Sequence, residues 1–321
     1  MTRNFLRWLC LRISDVWRGP HGFRGDAMIG GNMAAQEVNW QERVTPDLVQ
    51  QYKRDGVVFM DQLLHPLWLQ LVEMGISRVL NNSTRKQTFF AGDEGQFIDT
   101  VRNWDLTPEF QRLTYDSPIA DILGAFIDSP RVWLLFDHVF VKDGGNCKRT
   151  PWHQDLTYWP VAGTQLASMW ITIDPIPKHE CLEYIAGSHR QTLYDGFDPP
   201  RAGEDPTLPF YGEGFPRLPD IEADRSKWDI RSWDITPGDV VIFHPGVLHG
   251  GGPTSEGRRR RTLSVRVFGE DVVFDERPKT RPTAPRTPGL ELLLKPGDPL
   301  RHPYYPRLRP LPANQRPDFY E

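Results

Sequence analysis

Thr150-Pro151-Trp152-His153-Gln154-Asp155-Leu156-Thr157-Tyr158-Trp159-Pro160 puts an imidazole and a carboxylate two residues apart. In an extended strand, residues i and i+2 point to the same face, so His153 and Asp155 can converge on one point. A neutral histidine nitrogen beside a carboxylate oxygen is two-thirds of the facial triad that holds non-haem Fe(II) and leaves coordination positions open. The third ligand can lie far along the chain. His249 is the candidate, in Gly246-Val247-Leu248-His249-Gly250-Gly251-Gly252, just after the strand-like run Asp239-Val240-Val241-Ile242-Phe243. A bare His-x-Asp also arises from a histidine hydrogen-bonded to a nearby carboxylate, so the flanking sequence has to decide.

Downstream, Gly257-Arg258-Arg259-Arg260-Arg261 leads into Thr262-Leu263-Ser264-Val265-Arg266-Val267-Phe268. Strand alternation puts Arg260, Thr262, Ser264 and Arg266 on one side and Arg261 on the other. If the first side faces the interior, an arginine there needs an anionic partner. Upstream, Val132 to Phe136 and Val139 to Val141 read as one long strand closed by Lys142, which either faces a pocket or marks a solvated strand end. Gln165 to Asp174, with Trp170, is another strand, and Cys181 to Ile185 a short one ending at the turn Gly187-Ser188-His189. Residues 191–230 are rich in Pro, Gly, Asp and rings (Tyr194, Phe197, Phe210, Tyr211, Phe215, Trp228). Either they form a lid over a site, or the rings anchor a long loop or make a subunit contact, which would give a homodimer.

Ahead of this half, Thr45-Pro46-Asp47 reads as an N-cap, a proline at the first helical position and an acidic first turn, with the helix ending near Gly56. Val57 to Met60 is a buried strand. A second helix from Pro66 carries Leu69, Val72, Ile76, Val79 and Leu80 on one face. Residues 81–96 read as a loop; helices follow from Thr107-Pro108 and Pro118. Helices gathered at the front and many short strands behind give a mainly β fold with flanking helices, a double-stranded β-helix or jelly-roll barrel of cupin type. The domain is expected over residues 41–275, with the lid-like insertion at 191–230 and a Pro-rich tail, 276–321, packing on it.

The composition fits this reading. The chain has 321 residues, 39% hydrophobic and 12% aromatic, enough for a sizeable core. Thirty prolines and 27 glycines favour loops and short strands over a helical bundle. A net charge of −4 gives no reason to expect nucleic acid as a partner. Cys10, Cys147 and Cys181 form neither a disulfide framework nor a C-x-x-C motif, so a reducing, cytoplasmic setting is expected. In residues 1–40, Arg3, Arg7, Arg12, Arg18 and Arg24 interrupt every apolar run, so neither a secretory h-region nor a membrane span forms. That stretch is expected to be a disordered extension, with Met28 or Met33 as candidate starts and an arginine-rich targeting peptide as the alternative.

The order Lys142, His153-Gln154-Asp155, Trp170, Gly187-Ser188-His189, Pro237-Gly238-Asp239, His249-Gly250 and Arg260 resembles the phytanoyl-CoA dioxygenase family of Fe(II)- and 2-oxoglutarate-dependent oxygenases. The likeness runs from about Thr45 to Phe268. It implies that His153, Asp155 and His249 bind iron, and that Arg260 pairs with the distal carboxylate of 2-oxoglutarate, a match of guanidinium fork to carboxylate. Arg261 and Arg266 are substitutes, because the arginine run leaves the register open by one. Trp170 matches a tryptophan lining the co-substrate pocket; Lys142 and Thr262 join it as co-substrate candidates. Gln154, Tyr158, Trp159 and Arg266 are substrate candidates, and Thr164 a weaker contact for either.

Two departures stand out. The family commonly has a serine two residues after the distal histidine, where this chain has Gly251. It usually has glycine before Cys-Leu, where this chain has Glu180. The implied reaction uses O2 and 2-oxoglutarate to hydroxylate a small organic substrate, and the carboxylate of Asp155 disfavours halogenation. Two alternatives stay open: a cupin-like metalloenzyme without 2-oxoglutarate, and a non-catalytic binding module on the same barrel.

Overall fold

Strand β12 (Arg259–Phe268) is buried on both faces, which is why the strand-rich half reads as apolar runs. It pairs antiparallel with β4 (Val132–Asp143) on one side and β7 (Leu166–Thr172) on the other. The larger sheet continues in the order β1 (Val57–Met60), β10 (Val240–Phe243), β7, β12, β4, β3 (Gln96–Val101), β2 (Gln87–Thr88), and β14 (Arg307–Arg309) also pairs with β4. A four-stranded sheet runs β5 (Thr150–His153), β11 (His249–Gly251), β8 (Leu182–Ile185), β9 (Ile230–Arg231). Short strands β6 (Val161–Ala162) and β13 (Val273–Phe274) pair with each other. The computed structural model describes residues 38–81, 87–88, 96–143, 147–197, 209–212, 214–277 and 289–311.

Alternation along β12 separates two layers. Leu263, Val265 and Val267 join the main core with Val72, Ile76, Phe110, Leu123 and Phe126 from the helices on the outer face. Those helices are α1 (Trp40–Arg43), α2 (Pro46–Asp55), α3 (Pro66–Asn81), α4 (Pro108–Asp116) and α5 (Ile119–Ile127). The inner face of the larger sheet, through Val57, Trp170, Val241 and Phe243, packs with Tyr184 and Cys181 of the smaller. Two antiparallel sheets joined through their inner faces, with helices outside, make the jelly-roll that the sequence suggested.

Local signals hold at the front of the fold. Thr45 Oγ1 accepts from Leu48 N at 3.4 Å, and α2 ends in Gly56 at φ 74°. A β-carbon at Gly56 would lie 2.3 Å from the His189 ring, so the turn needs glycine for space as well as for its backbone angle.

One reading changes, and two fall partly outside the described residues. Within residues 81–96, expected as loop, Gln87–Thr88 is a strand and Gln96 opens β3, held by pairing with β4 that no local signal announces. The rest of that stretch, residues 82–86 and 89–95, lies outside the described residues. So do residues 1–37, on which the expectation of a disordered extension falls, while α1 already begins at Trp40. The stretch 191–230 also lies partly outside the described residues, at 198–208 and 213. Its rings dock inward: Tyr211 Oη donates to Thr157 O at 3.0 Å, Phe210 packs on Tyr158 at 5.4 Å, and Glu222–Lys227 form a 3-10 segment. Of the tail, Leu300, Tyr305 and Leu308 are buried and α7 (Leu290–Leu293) caps that end.

Candidate metal centre and anion pocket

Strand β5 stops at His153. Gln154 keeps extended angles (φ −117°, ψ 123°), and Asp155 opens the one-turn helix α6 (Asp155–Tyr158). The pair therefore converges across a strand-to-helix corner, not along one strand as the spacing suggested. Leu156 N donates to Pro245 O at 3.0 Å, tying the corner to the segment that precedes His249. Gln154 completes the tie: its Nε2 donates to Gly246 O at 2.8 Å and Thr192 O at 3.3 Å, and its Oε1 accepts from Tyr194 N at 2.8 Å. These bonds occupy its amide, so Gln154 acts as a brace, not the substrate contact that its position suggested.

In the β5–β11 register His249 stands opposite His153. One ligand atom from each of His153, Asp155 and His249 falls within 4.8 Å of the others. Asp155 Oδ1 lies 3.5 Å from His153 Nε2 and 3.9 Å from His249 Nε2. Both rings make the same second contact. His153 Nδ1 lies 2.9 Å from Pro151 O, and His249 Nδ1 lies 2.9 Å from Val247 O. A carbonyl only accepts, so each Nδ1 carries its proton and each Nε2 lone pair turns toward Asp155. Burial pushes the His249 imidazolium down to about 4, with His153 adding to the shift, so the ring is neutral at pH 7. Burial opposes ionisation of Asp155, but the Arg266 guanidinium outweighs it and holds the carboxyl well below the usual range. Arg266 Nη2 donates to Asp155 Oδ2 at 3.2 Å, leaving Oδ1 for the metal position. Two neutral imidazoles and one ionised carboxylate with a free oxygen suit a divalent ion such as Fe(II).

The parity of the arginine run is settled by β12. Arg261 faces outward, paired with Asp174 at 2.7 Å and Glu73 at 3.1 Å. Arg260 faces inward opposite Lys142 of β4, and both are buried. Arg260 Nη1 donates to Glu180 O at 2.6 Å and reaches Gly252 O at 3.5 Å; Lys142 Nζ donates to Lys148 O at 2.9 Å and Gly252 O at 3.3 Å. Two cations thus converge on one carbonyl, and among the described residues neither has an ion pair. Burial pushes Lys142 down to about 7, and neighbouring Arg260 pushes the same way. Glu180, one of the two departures from the resembled pattern, serves here through its backbone, while Ser255 Oγ donates to its carboxylate. Gly252 permits this approach: a β-carbon there would lie 2.6 Å from the Glu180 carbonyl carbon.

Of the remaining candidates, Trp170 is buried on the inner face across from Ser264. Thr262 shares that face, but its Oγ1 donates to Phe140 O at 3.4 Å. Trp159 and Phe136 flank the Arg266 guanidinium at 5.4 and 4.8 Å. Tyr158 lies 6.2 Å from the His153 ring, with its hydroxyl tied to the Phe197 backbone at 2.8 and 3.1 Å. Thr164 is not at the site: its hydroxyl donates to Asp271 Oδ2 at 2.6 Å, in exposed surroundings. His244, pushed down to about 3 by burial and by His189, accepts from Gly246 N at 3.0 Å and is structural.

Sequence reading singled out neither Ser168 nor Tyr184. Tyr184 Oη, Ser168 Oγ, Ser264 Oγ and the Nε and Nη1 groups of Arg266 are buried without hydrogen-bond partners among the described residues. Alternation along β12 had already placed Ser264 and Arg266 on the inward side; Ser168 and Tyr184 follow only from strand pairing. Beside His153 a cleft of about 430 Å³ is lined by Pro151, Trp152, Asp195, Phe197, Arg149 and Glu222, and Phe197 meets the His153 ring edge-on at 5.3 Å.

This architecture defines a jelly-roll protein with a His153–Asp155–His249 cluster able to hold a metal and two buried, inward cations, Lys142 and Arg260. Residues 52–262 match the model of the phytanoyl-CoA dioxygenase family, and the chain belongs to that family. It is 23% identical over 161 residues to a probable phytanoyl-CoA dioxygenase of Caenorhabditis elegans, covering 48% of this chain and 49% of that one. It is 24% identical over 204 residues to the mouse peroxisomal phytanoyl-CoA dioxygenase, covering 61% and 56%. The chain thus spans about half the length of these relatives. Among solved structures, the epimerase SnoN in complex with Fe3+, alpha ketoglutarate and nogalamycin RO superposes with TM-score 0.63 at 18% identity, over 82% of this chain and 98% of that one. EctD from S. alaskensis, solved with 2-oxoglutarate and 5-hydroxyectoine, gives 0.59 at 17% over 80% and 85%. At such identities the likeness establishes the fold. Among the described residues no helix is long and apolar enough to cross a membrane.

Proposed function

We infer that this chain is an Fe(II)- and 2-oxoglutarate-dependent oxygenase that hydroxylates an unactivated C–H bond of a small organic substrate. The observation that carries the reading is the pairing of a tautomer-set His153–Asp155–His249 triad with two buried cations, Lys142 and Arg260, that have no ion pair among the described residues. A buried cation without a counter-charge is costly, and a dicarboxylate co-substrate supplies one. With O2, the iron and co-substrate supply oxidative decarboxylation to succinate and CO2 coupled to hydroxylation. The chain's own residues position the reactants. His153, Asp155 and His249 hold the metal, Arg260 and Lys142 the distal carboxylate, and Trp170 walls the pocket. The cleft at Phe197 is of a size for a small organic molecule, and its mixed Arg149, Asp195 and Glu222 lining favours a polar one.

Anaerobic titration with Fe(II) and then 2-oxoglutarate tests the reading through the visible charge-transfer band of the chelate. Iron binding without the band would favour a cupin-like metalloenzyme that does not use 2-oxoglutarate. No iron binding would favour a non-catalytic module.

Lys142 gives the co-substrate step a pH signature. Its folded-state value near 7 lies below the ordinary 10.5, so the metal-free fold bears the full penalty of a buried ammonium below about pH 7. The penalty fades as pH rises toward 10.5, and stability is expected to increase through that window. A bound dicarboxylate favours the ammonium, so binding above pH 7 takes up a proton and weakens as pH rises. In Lys142→Met both slopes are expected to flatten, read by thermal unfolding and by 2-oxoglutarate titration between pH 7 and 9.

A further inference from the structure

Tyr184 lies directly opposite His249 in the β8–β11 register, so both side chains project from the same face of the smaller sheet. Its ring stacks on His249 at 5.9 Å and 19°, and Phe243 packs against it at 5.2 Å. The ring is fully buried and its direction is fixed, yet the hydroxyl has no hydrogen-bond partner among the described residues. An unpaired buried hydroxyl lowers stability, and phenylalanine would fill the same space without that loss. Four residues before it, Glu180 O accepts the hydrogen bond of Arg260, so the phenol sits on the segment between the inward arginine and the metal ligand His249.

Three nearby positions do not supply this bond. Gly251, two residues beyond His249, has none, and Thr262 Oγ1 is turned to Phe140 O. Ser168 stands across from Arg266, at the far end of β12 from Arg260. We propose that Tyr184 is a binding residue for 2-oxoglutarate, donating its phenolic hydrogen bond to the carboxylate that Arg260 and Lys142 hold and replacing the hydroxyl absent at Gly251. The proposal rests on the oxygenase reading above.

Tyr184→Phe tests it in the full-length Fe(II)-loaded protein, under argon, by titrating 2-oxoglutarate against the charge-transfer band. Loss of one hydrogen bond to a charged group is expected to raise the dissociation constant about tenfold or more. Fe(II) affinity is expected to be unchanged, and the melting temperature of the metal-free variant equal to or above wild type. A merely structural tyrosine would give the reverse: a lower melting temperature with 2-oxoglutarate affinity intact. That result overturns the proposal, as does a loss of affinity that appears only in Ser264→Ala or Thr254→Ala, two further buried hydroxyls without partners among the described residues. A wild-type protein that binds Fe(II) but gives no band overturns the oxygenase reading, and this assignment with it. A wild-type band unaltered in Tyr184→Phe overturns the assignment alone.

Discussion

Arg260→Ala is expected to lower the affinity for 2-oxoglutarate about 100-fold or more while Fe(II) still binds. The guanidinium is buried and inward-facing, and among the described residues its hydrogen bonds go only to the carbonyls of Glu180 and Gly252. Removing one partner of a buried hydrogen-bonded charge pair typically costs about 2–5 kcal/mol. Lys142 would remain as a point charge but cannot reproduce a planar fork, so a lysine at 260 should recover little. Stability should move the other way. Arg260→Met replaces a buried cation that has no carboxylate partner by an apolar chain of similar length, and the metal-free variant is expected to melt no lower than wild type. Titration of the charge-transfer band and thermal unfolding of the same preparations check both halves. A variant that keeps wild-type 2-oxoglutarate affinity would remove Arg260 from the pocket.

Asp155→Ala should lose both the metal and a good part of the fold's stability. The carboxylate offers Oδ1 to the metal position, and its Oδ2 accepts from Arg266 at 3.2 Å. Without it the Arg266 guanidinium, 4% exposed, keeps only the rings of Phe136 and Trp159 for company. Leaving such a charge buried and unpaired costs about 3–5 kcal/mol. Asp155→Asn separates the two roles: the amide oxygen still accepts from Arg266, so the melting temperature should largely recover while iron content stays near zero. His153→Ala should lose iron with a smaller effect on stability, because no buried charge depends on that ring. Metal analysis of protein reconstituted with Fe(II), beside melting curves, distinguishes the three.

Much of the site was legible because its signals are local or periodic. His153, Asp155 and His249 stand at recognisable spacing, and alternation assigned Arg260, Thr262, Ser264 and Arg266 to one face before any coordinates. Lys142 was ambiguous for a physical reason. A lysine at a strand end is ordinarily solvated, and only the flanking strands β3 and β12 bury this one. Thr164 was misplaced because a threonine beside a strand carries no sign of which loop it will meet, here the one with Asp271. Tyr184 had no local signal at all. Its place opposite His249 is set by pairing between segments about 65 residues apart, and nothing within β8 encodes that register. The Asp155 corner shows the same limit in reverse: the right residues met for a different reason, since a helix begins where a strand was expected.

In β12 the odd residues grip the helical layer and the even ones line the chemistry, so the strand tolerates substitution but not a change of length. Inserting or deleting a single residue ahead of Leu263 would exchange the two sets, driving Arg261 inward and Arg260 into solvent. The docked stretch after Thr192 has no such parity to keep. On the oxygenase reading proposed above, changes of length in its described part would reshape the cleft beside Phe197 while the residues proposed to hold iron and co-substrate keep their places on the strands.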